Sequence, residues 1–353
     1  MSYSFAQRAF PDLPDEVAAV LTSSLYTEFG SITAKGVPLN TPLFAFVGPG
    51  GDTIDVATGL AYPAKAERVR KDPKVGLLLE GNRDPGRPIV SVAGFGAVRD
   101  ADIQANLERY IAETAARLPT TSGGLPWSVL REAVWYWARV LIQTTPARVT
   151  WWPNANETDA EPMRWEAPGT ARYPSSDPAP AGPRTPPATW TQPDDWRPRA
   201  VEVLERGLPG HLTLCDDHGF PLPFRVRSVA LADGGFTLEV PRGAPWKVVG
   251  QASLCFAGQA TFVGTVEPTT EGGHLTVERR LADLPLMADP AEIWQPKPET
   301  KAALLERLEK ELARRGLPLP RVPEDMPAPT EGSIARNDAS KRNHRVTDGK
   351  VDP

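Results

Sequence analysis

The sequence predicts a mainly β protein with flanking helices, an α+β chain built of two tandem β-barrel-like halves joined by a Pro-rich segment. Three observations carry this prediction. Short apolar runs bounded by Gly, Pro, Asn and Asp recur along most of the chain, the pattern of strands and turns. A Pro-dense stretch divides it: 11 of the 39 prolines fall between Pro153 and Arg199. Proline lacks a backbone donor and fixes φ, so that stretch cannot run as helix or central strand. Finally, the order of elements before the stretch recurs after it.

In the first half, Val17, Val20, Leu21 and Leu25 recur at helical spacing, so residues 14–29 read as a helix running into a strand. GSITAKGVPLNTPLFAFV follows, two apolar runs around Lys35-Gly36, which is a hairpin pattern. Pro42 marks an edge position or a bulge. After the turn Pro49-Gly50-Gly51-Asp52, Thr53–Thr58 reads as a strand and Pro63–Lys71 as a short basic helix. Lys74–Glu80 and Ile89–Val98 read as buried strands, with Gly94 and Gly96 marking a bend or a close backbone approach. Asp102–Arg117 is an amphipathic helix, Trp127–Ala138 a helix, and Val140–Trp152 a strand pair or one bulged strand.

Beyond the Pro-rich stretch, Ala200–Arg206 reads as a helix. Strands follow at Leu212–Cys215, Leu222–Leu231, Phe236–Val240, Ala252–Ala257 and Thr261–Val266. Lys301–Arg315 is a helix with Leu304, Leu305, Leu308 and Leu312 on one face and Gly316 as its C-terminal stop. The expected division is a first barrel domain, 1–152; a linker, or a strap packed across the body, 153–199; a second, divergent barrel-like domain with the C-terminal helix, 200–319; and a disordered tail, 320–353.

An internal repeat links the halves. Lys35-Gly36-Val37-Pro38 corresponds to His218-Gly219-Phe220-Pro221 at an offset of 183, and Pro63-Ala64-Lys65 to Pro245-Trp246-Lys247 at 182. Thr53-Ile54-Asp55-Val56 matches Phe236-Thr237-Leu238-Glu239 in pattern, and Gly94–Val98 resembles Gly264-Thr265-Val266. Four matches in order point to a duplication.

Composition excludes several functions. With 39 Lys+Arg against 44 Asp+Glu the net charge is −5, so neither a nucleic-acid partner nor a polybasic membrane contact is expected. No apolar run approaches the roughly 18 residues of a spanning helix. Met1–Leu13 lacks the apolar stretch of a signal peptide. Two cysteines, Cys215 and Cys255, build no disulfide framework, and a cytoplasmic location is expected. The four histidines, at 211, 218, 274 and 344, leave residues 1–210 without any. No metal site is expected, and chemistry in the first half must come from another residue type or from a bound cofactor.

The segment Gly36–Pro73 carries the best candidate chemistry. Thr58 closes a strand, and Lys65 and Arg68 share a face of the short helix that follows. A hydroxyl, helix N-terminal amides and one or two cations make a phosphate cradle. The plainer reading is a solvated basic helix face. The tryptophans divide likewise between packing on a barrel and an aromatic wall over a flat ligand. His211 and His218 read as structural and turn residues, Cys215 and Cys255 as small buried hydrophobes.

The ordered set Gly36, Pro38, Pro42, Thr58, Lys65, Val69, Pro73 and Val75, followed by IVSVAGFGAV, resembles the pyridoxamine 5′-phosphate oxidase-like family of FMN-binding split barrels. The resemblance covers about residues 14–152 and is weak over 200–290. It implies split-barrel halves and a flavin-dependent oxidoreductase acting on a small organic substrate. It implies that Thr58 and Lys65 hold the FMN phosphate with help from Arg68. Asn40, Thr41, Pro42 and Leu43 would run beside the isoalloxazine, with Ala57 and Tyr62 flanking the site. Such sites form between two barrels, in a homodimer or an intrachain pseudo-dimer. Trp135, Trp246 and Lys247 are therefore candidates for a pocket wall. The second half keeps Lys247 but has Val240 in place of Thr58, so a wall is expected there, not a second site. Alternatives are deazaflavin F420, with Lys35, Arg68, Arg70 and Lys71 forming a groove for its acidic tail, and a non-catalytic flavin- or haem-binding protein. No catalytic residue is assigned.

Overall fold

The computed structural model describes residues 9–81, 84–182, 195–270, 272–281 and 293–347. The first half runs α1 (Asp15–Ser23), β1 (Tyr26–Ile32), β2 (Pro38–Val47), β3 (Ile54–Gly59), α2 (Ala64–Lys71), β4 (Lys74–Leu79), β5 (Ile89–Arg99) and α3 (Ile103–Thr114). Three short turns of helix follow, α4 (Leu118–Thr121), α5 (Trp127–Leu130) and α6 (Val134–Trp137), and then β6 (Arg139–Trp152). Asp102 caps α3 by accepting the Ala105 N–H at 2.9 Å. The strands lie in the order β3-β2-β1-β4-β5-β6, and β3 pairs with β6 to close a six-stranded barrel. Closure follows from register: Val56 stands opposite Ile142, and Thr58 opposite Val140. The apolar residues of these strands then meet inside with Phe29, Leu77 and Val92. Pro42 pairs with Glu28 on β1, while the β2–β3 ladder spans only Ala45–Val47, so its missing donor falls on an open edge.

One expectation changes here and one open alternative is decided. Residues 127–138 are two short turns rather than one helix, because Arg131–Ala133 turn between them. Val140–Trp152 is the one bulged strand of the two readings: the β5–β6 register shifts at Ala93/Gly94, where Ala147 of β6 is the extra residue. The first part of β6 closes the barrel, and its second part receives β7 (Met163–Glu166).

The described part of 153–199 makes contacts with the first half. Arg164 pairs with Thr150, and Trp165 packs on the first core. Asp177 donates its N–H to Val98 O at 2.9 Å, and its carboxylate accepts the N–H groups of Asp100 and Ala101. Residues 183–194, with Trp190, lie outside the described residues.

The second half runs α7 (Arg197–Glu205), β8 (Gly210–Cys215), β9 (Pro221–Arg225), β10 (Ser228–Ala232), β11 (Gly235–Glu239), β12 (Gly250–Phe256), β13 (Ala260–Thr269) and β14 (Gly272–Arg280). Every strand pairing of the first barrel recurs once β9 and β10 are taken as one broken counterpart of β2. The expected strand Leu222–Leu231 breaks at Val226–Arg227, whose N–H groups go to Gly210 and Glu239. The turns match atom for atom. Gly36 and Gly219 both have φ of +79°, a conformation costly for any residue with a Cβ. Val37 N donates to the Thr33 hydroxyl, as Phe220 N donates to the Asp216 carboxylate. Where the first half has α2, the second has the loop Pro241–Val249.

The halves pack through β9 on β1 and β4, and β2 on β8 and β12. Gly30 and Gly76, opposite each other on β1 and β4, make room for Pro221: a Cβ on either would lie 2.0 Å from its carbonyl oxygen. Beyond the second sheet come α8 (Pro298–Arg315) and α9 (Glu331–Thr347). Both correct the expected division. The leucine face of α8 buries Leu304, Leu308 and Leu312 in the core of the first half, not the second. Residues 331–347 of the tail expected to be disordered are helical, with Arg336 paired to Glu113 on α3 and buried against it.

Candidate anion site on the first barrel

Helix α2 starts after Pro63 and buries Ala66, Glu67 and Val69. Lys65 and Arg68 on the same helix are partly exposed. The Arg68 Nε donates to the Ser31 hydroxyl on β1 at 3.0 Å. Burial brings Arg68 down to about 10. Lys65 is brought down to about 8, first by burial and then by the like charges of Arg68 and Arg139.

Arg139 is the residue that sequence reading missed. It opens β6 opposite Gly59, with its guanidinium packed beside that glycine. That group lies 4.4 Å from the Tyr110 ring centre and 4.2 Å from that of Tyr136, a cation held between two aromatic faces. The two tyrosine hydroxyls are 3.2 Å apart. The buried Nε of Arg139 has no hydrogen-bond partner. Only tertiary pairing could disclose this: nothing in Trp137-Ala138-Arg139 indicates that the arginine lands beside residues 59–65.

Among the described residues, Lys65, Arg68 and Arg139 enter no ion pair, whereas neighbouring arginines do. Arg70 is paired with Asp100, Arg109 with Asp55 at 2.6 Å, and Arg315 with Asp100 at 2.9 Å. Three partly buried cations without a carboxylate are unfavourable unless an anion joins them. An orphaned guanidinium nitrogen beside them fits a phosphate, which offers several strong acceptor oxygens.

Helix α8 reaches the same corner. The Arg307 Nε donates to Ala61 O at 2.9 Å and its guanidinium sits 4.7 Å from the Tyr62 ring centre. Burial raises the Tyr62 pKa. Below, Arg314 and Arg315 bind the fully buried Glu311, and Arg314 approaches Glu67 on α2. Glu67, Arg70, Asp100, Glu311, Arg314 and Arg315 thus balance in charge and tie α8 to α2.

The structure brings together Lys65, Arg68 and the turn containing Tyr62. Thr58 is buried, but successive strand residues face opposite ways, so it stands on the other face of β3 from Gly59 and Arg139. Ala57 packs in the core. Asn40 is buried and donates to Glu28 at 2.8 Å, while Thr41, Pro42 and Leu43 are partly exposed. Trp135 lies in the core, its ring 5.4 Å from the Lys301 ammonium. Arg70 is committed to Asp100, and Lys35 is exposed on the hairpin, so the four cations expected to form one groove do not assemble.

Trp246 and Lys247 lie elsewhere. They line a cavity of about 460 Å³ with Asp159, Arg164, Asp217 and Arg242. Lys247 is spent on Asp217, at 3.1 Å from both its oxygens. Thr150 lines a smaller cavity beside it. At about 3.3 Å per residue, that end of β6 is ~30 Å from Val140, the partner of Thr58. The expectation that these two residues wall the Lys65 site is therefore corrected. Losing α2 in the second half carries Lys247 out to a surface loop.

Among the described residues no cluster of metal-ligating side chains occurs, and no helix is long and apolar enough to cross a membrane. No family model and no curated protein matches the chain. Solved structures similar to it include a Clostridium acetobutylicum protein related to general stress protein 26 of B. subtilis, of the pyridoxinephosphate oxidase family, at 13% identity over 43% of this chain and 96% of that one (TM-score 0.29). General stress protein 26 from Bacillus anthracis is similar at 14% identity over 43% of this chain and 97% of that one (TM-score 0.28). An F420 reductase is similar at 16% identity over 39% and 98% (TM-score 0.28). The fold is mainly β, with a closed barrel, a second barrel-like sheet and flanking helices.

Proposed function

We propose that the first barrel binds FMN through its phosphate and that the protein is a flavin-dependent oxidoreductase acting on a small organic substrate. The observation that supports this reading best is the uncompensated trio Lys65, Arg68 and Arg139. FMN, when bound, supplies hydride and electron transfer, so the protein has to bind, orient and shield it. Lys65 and Arg139 offer the phosphate charge and Arg68 a directional fork, with Ser31 holding that fork in place. Tyr110 and Tyr136 prevent Arg139 from swinging into water. Arg307 fixes the turn at Ala61 that leads into α2. The two halves of one chain would act as an intrachain pseudo-dimer.

The test is reconstitution of the full chain with FMN, followed by flavin fluorescence and absorbance. Saturable binding that Arg139→Ala weakens supports the proposal. A chain that takes up no FMN refutes it. F420 is the second reading. It keeps the same phosphate-binding cations but loses Arg70 and Lys35 from its groove, and the absorbance of the bound cofactor separates the two. A haem carrier is disfavoured by residues 1–210, which hold neither His nor Cys.

A further inference from the structure

Glu28 on β1 and His211 on β8 occupy corresponding positions in the two halves. Glu28 stands opposite Leu78 on β4, and His211 opposite Cys255 on β12. When like barrels pack about a two-fold, central positions of this kind face each other. Here His211 Nδ1 lies 3.5 Å from a Glu28 carboxylate oxygen, and its Nε2 lies 3.0 Å from Glu80 at the end of β4. The ring is 1% exposed. Among the described residues, the other titratable groups around it are Arg225 on β9, exposed and 3.7 Å from Glu80, and the Cys255 thiol, which burial and Glu28 push up to about 12 and so keep neutral. The second Glu28 oxygen accepts the Asn40 amide of β2 at 2.8 Å.

Two carboxylates of one half therefore converge on one imidazole of the other. A neutral ring donates to only one of them and turns a lone pair toward the second. A charged ring attracts both: Nε2 hydrogen-bonds Glu80, and Nδ1, which has no hydrogen-bond partner in the structure, faces Glu28 as a 3.5 Å charge contact. Burial opposes the charge, but Glu28 and Glu80 together outweigh it and raise the His211 pKa.

We propose that His211 is a pH-operated clamp on the seam between the halves: as imidazolium it ties Glu28 and Glu80 to β8, and losing its proton loosens the seam and the Asn40 end of β2. The sign follows from linkage. A folded-state pKa raised above the ordinary 6.5 gives stabilisation that is complete below 6.5 and is lost as pH rises through the raised value. The clamp does not depend on which cofactor the first barrel takes.

The experiment is hydrogen exchange on the full, cofactor-free chain at about pH 6 and pH 8.5, corrected for intrinsic exchange, in wild type and His211→Asn. Wild-type peptides from β1, β4, β8 and β9 should lose protection several-fold at the higher pH. In His211→Asn their protection should not change with pH. A wild-type seam equally protected at both values, or a variant that responds as wild type does, overturns the proposal. Should His211→Asn not fold, NMR titration of the wild-type imidazole decides. A midpoint above 6.5 supports the clamp, and one at or below 6.5, or no titration at all, refutes it.

Discussion

Lys65 should make FMN affinity depend on pH in a way that one substitution abolishes and another flattens. Its pKa of about 8 leaves about nine-tenths of the side chains charged at pH 7 and about one-tenth at pH 9. Only the ammonium gives a charge-assisted contact to phosphate, and such a contact contributes about 1.5–3 kcal/mol. Lys65→Ala should therefore raise the FMN Kd at pH 7 by roughly 10- to 150-fold. In wild type the Kd should hold steady from about pH 6.5 to 7.5 and rise about tenfold by pH 9, because each binding event must then take up a proton. Lys65→Arg keeps its charge throughout, so its Kd should stay level to pH 9. Quenching of flavin fluorescence in a titration gives all three curves. A Lys65→Ala Kd equal to wild type at pH 7, or a Lys65→Arg curve that rises as steeply as wild type, would refute the assignment.

The same lysine should cost stability while no anion is bound. Its folded pKa of about 8 lies below the ordinary 10.5, so the cofactor-free fold is penalised below pH 8 and recovers as pH climbs towards 10.5. After discounting for its partial exposure, urea unfolding at pH 7 should show Lys65→Met about 1–2 kcal/mol more stable than wild type, with the gap closing at high pH. Glu311→Gln strips a buried carboxylate from Arg314 and Arg315; a loss of about 3–5 kcal/mol in urea unfolding is expected, with early proteolytic cleavage in α8. Gly76→Ala drives a methyl into the Pro221 carbonyl and should cost about 1–3 kcal/mol in the same assay, with the unfolding midpoint as the check. Burial pushes the thiols of Cys215 and Cys255 up to about 11 and about 12, so neither should react with a disulfide reagent at about pH 8 until denaturant is added.

The elements that depend on local sequence were legible. The hairpin at Lys35-Gly36, the helix Ala64–Lys71 and the Gly316 stop all lie close to their expected places, because turn chemistry and helical spacing act within a few residues. The repeat was legible from its turns. The anion site was only half legible. Lys65 and Arg68 share a helix face, which spacing discloses. Arg139 joins them through β3–β6 pairing across some eighty residues, which spacing cannot disclose. Thr58 is buried opposite Val140, one residue before the Gly59–Arg139 pair, and strand alternation sets it on the other face of β3 from Arg139. Arg70 read as a solvated or groove-lining cation because its partners, Asp100 just after β5 and Asp177 in the strap, lie far along the chain. The leucines of α8 announced a buried face but not which core would receive it.

Two barrels carried on one chain also differ from two copies of a single barrel in how they answer mutation. In a symmetric pair of identical chains, a substitution lands twice, once on each side of the axis, and both faces must tolerate it. Here it lands once. The positions corresponding to Gly30 and Gly76 have already become Thr213 and Ser253, and Glu28 is matched by a histidine instead of confronting its own negative twin. One side of the molecule can thus replace its helix by a loop and commit its lysine to Asp217 while the other keeps helix α2 and Lys65 outside any ion pair among the described residues.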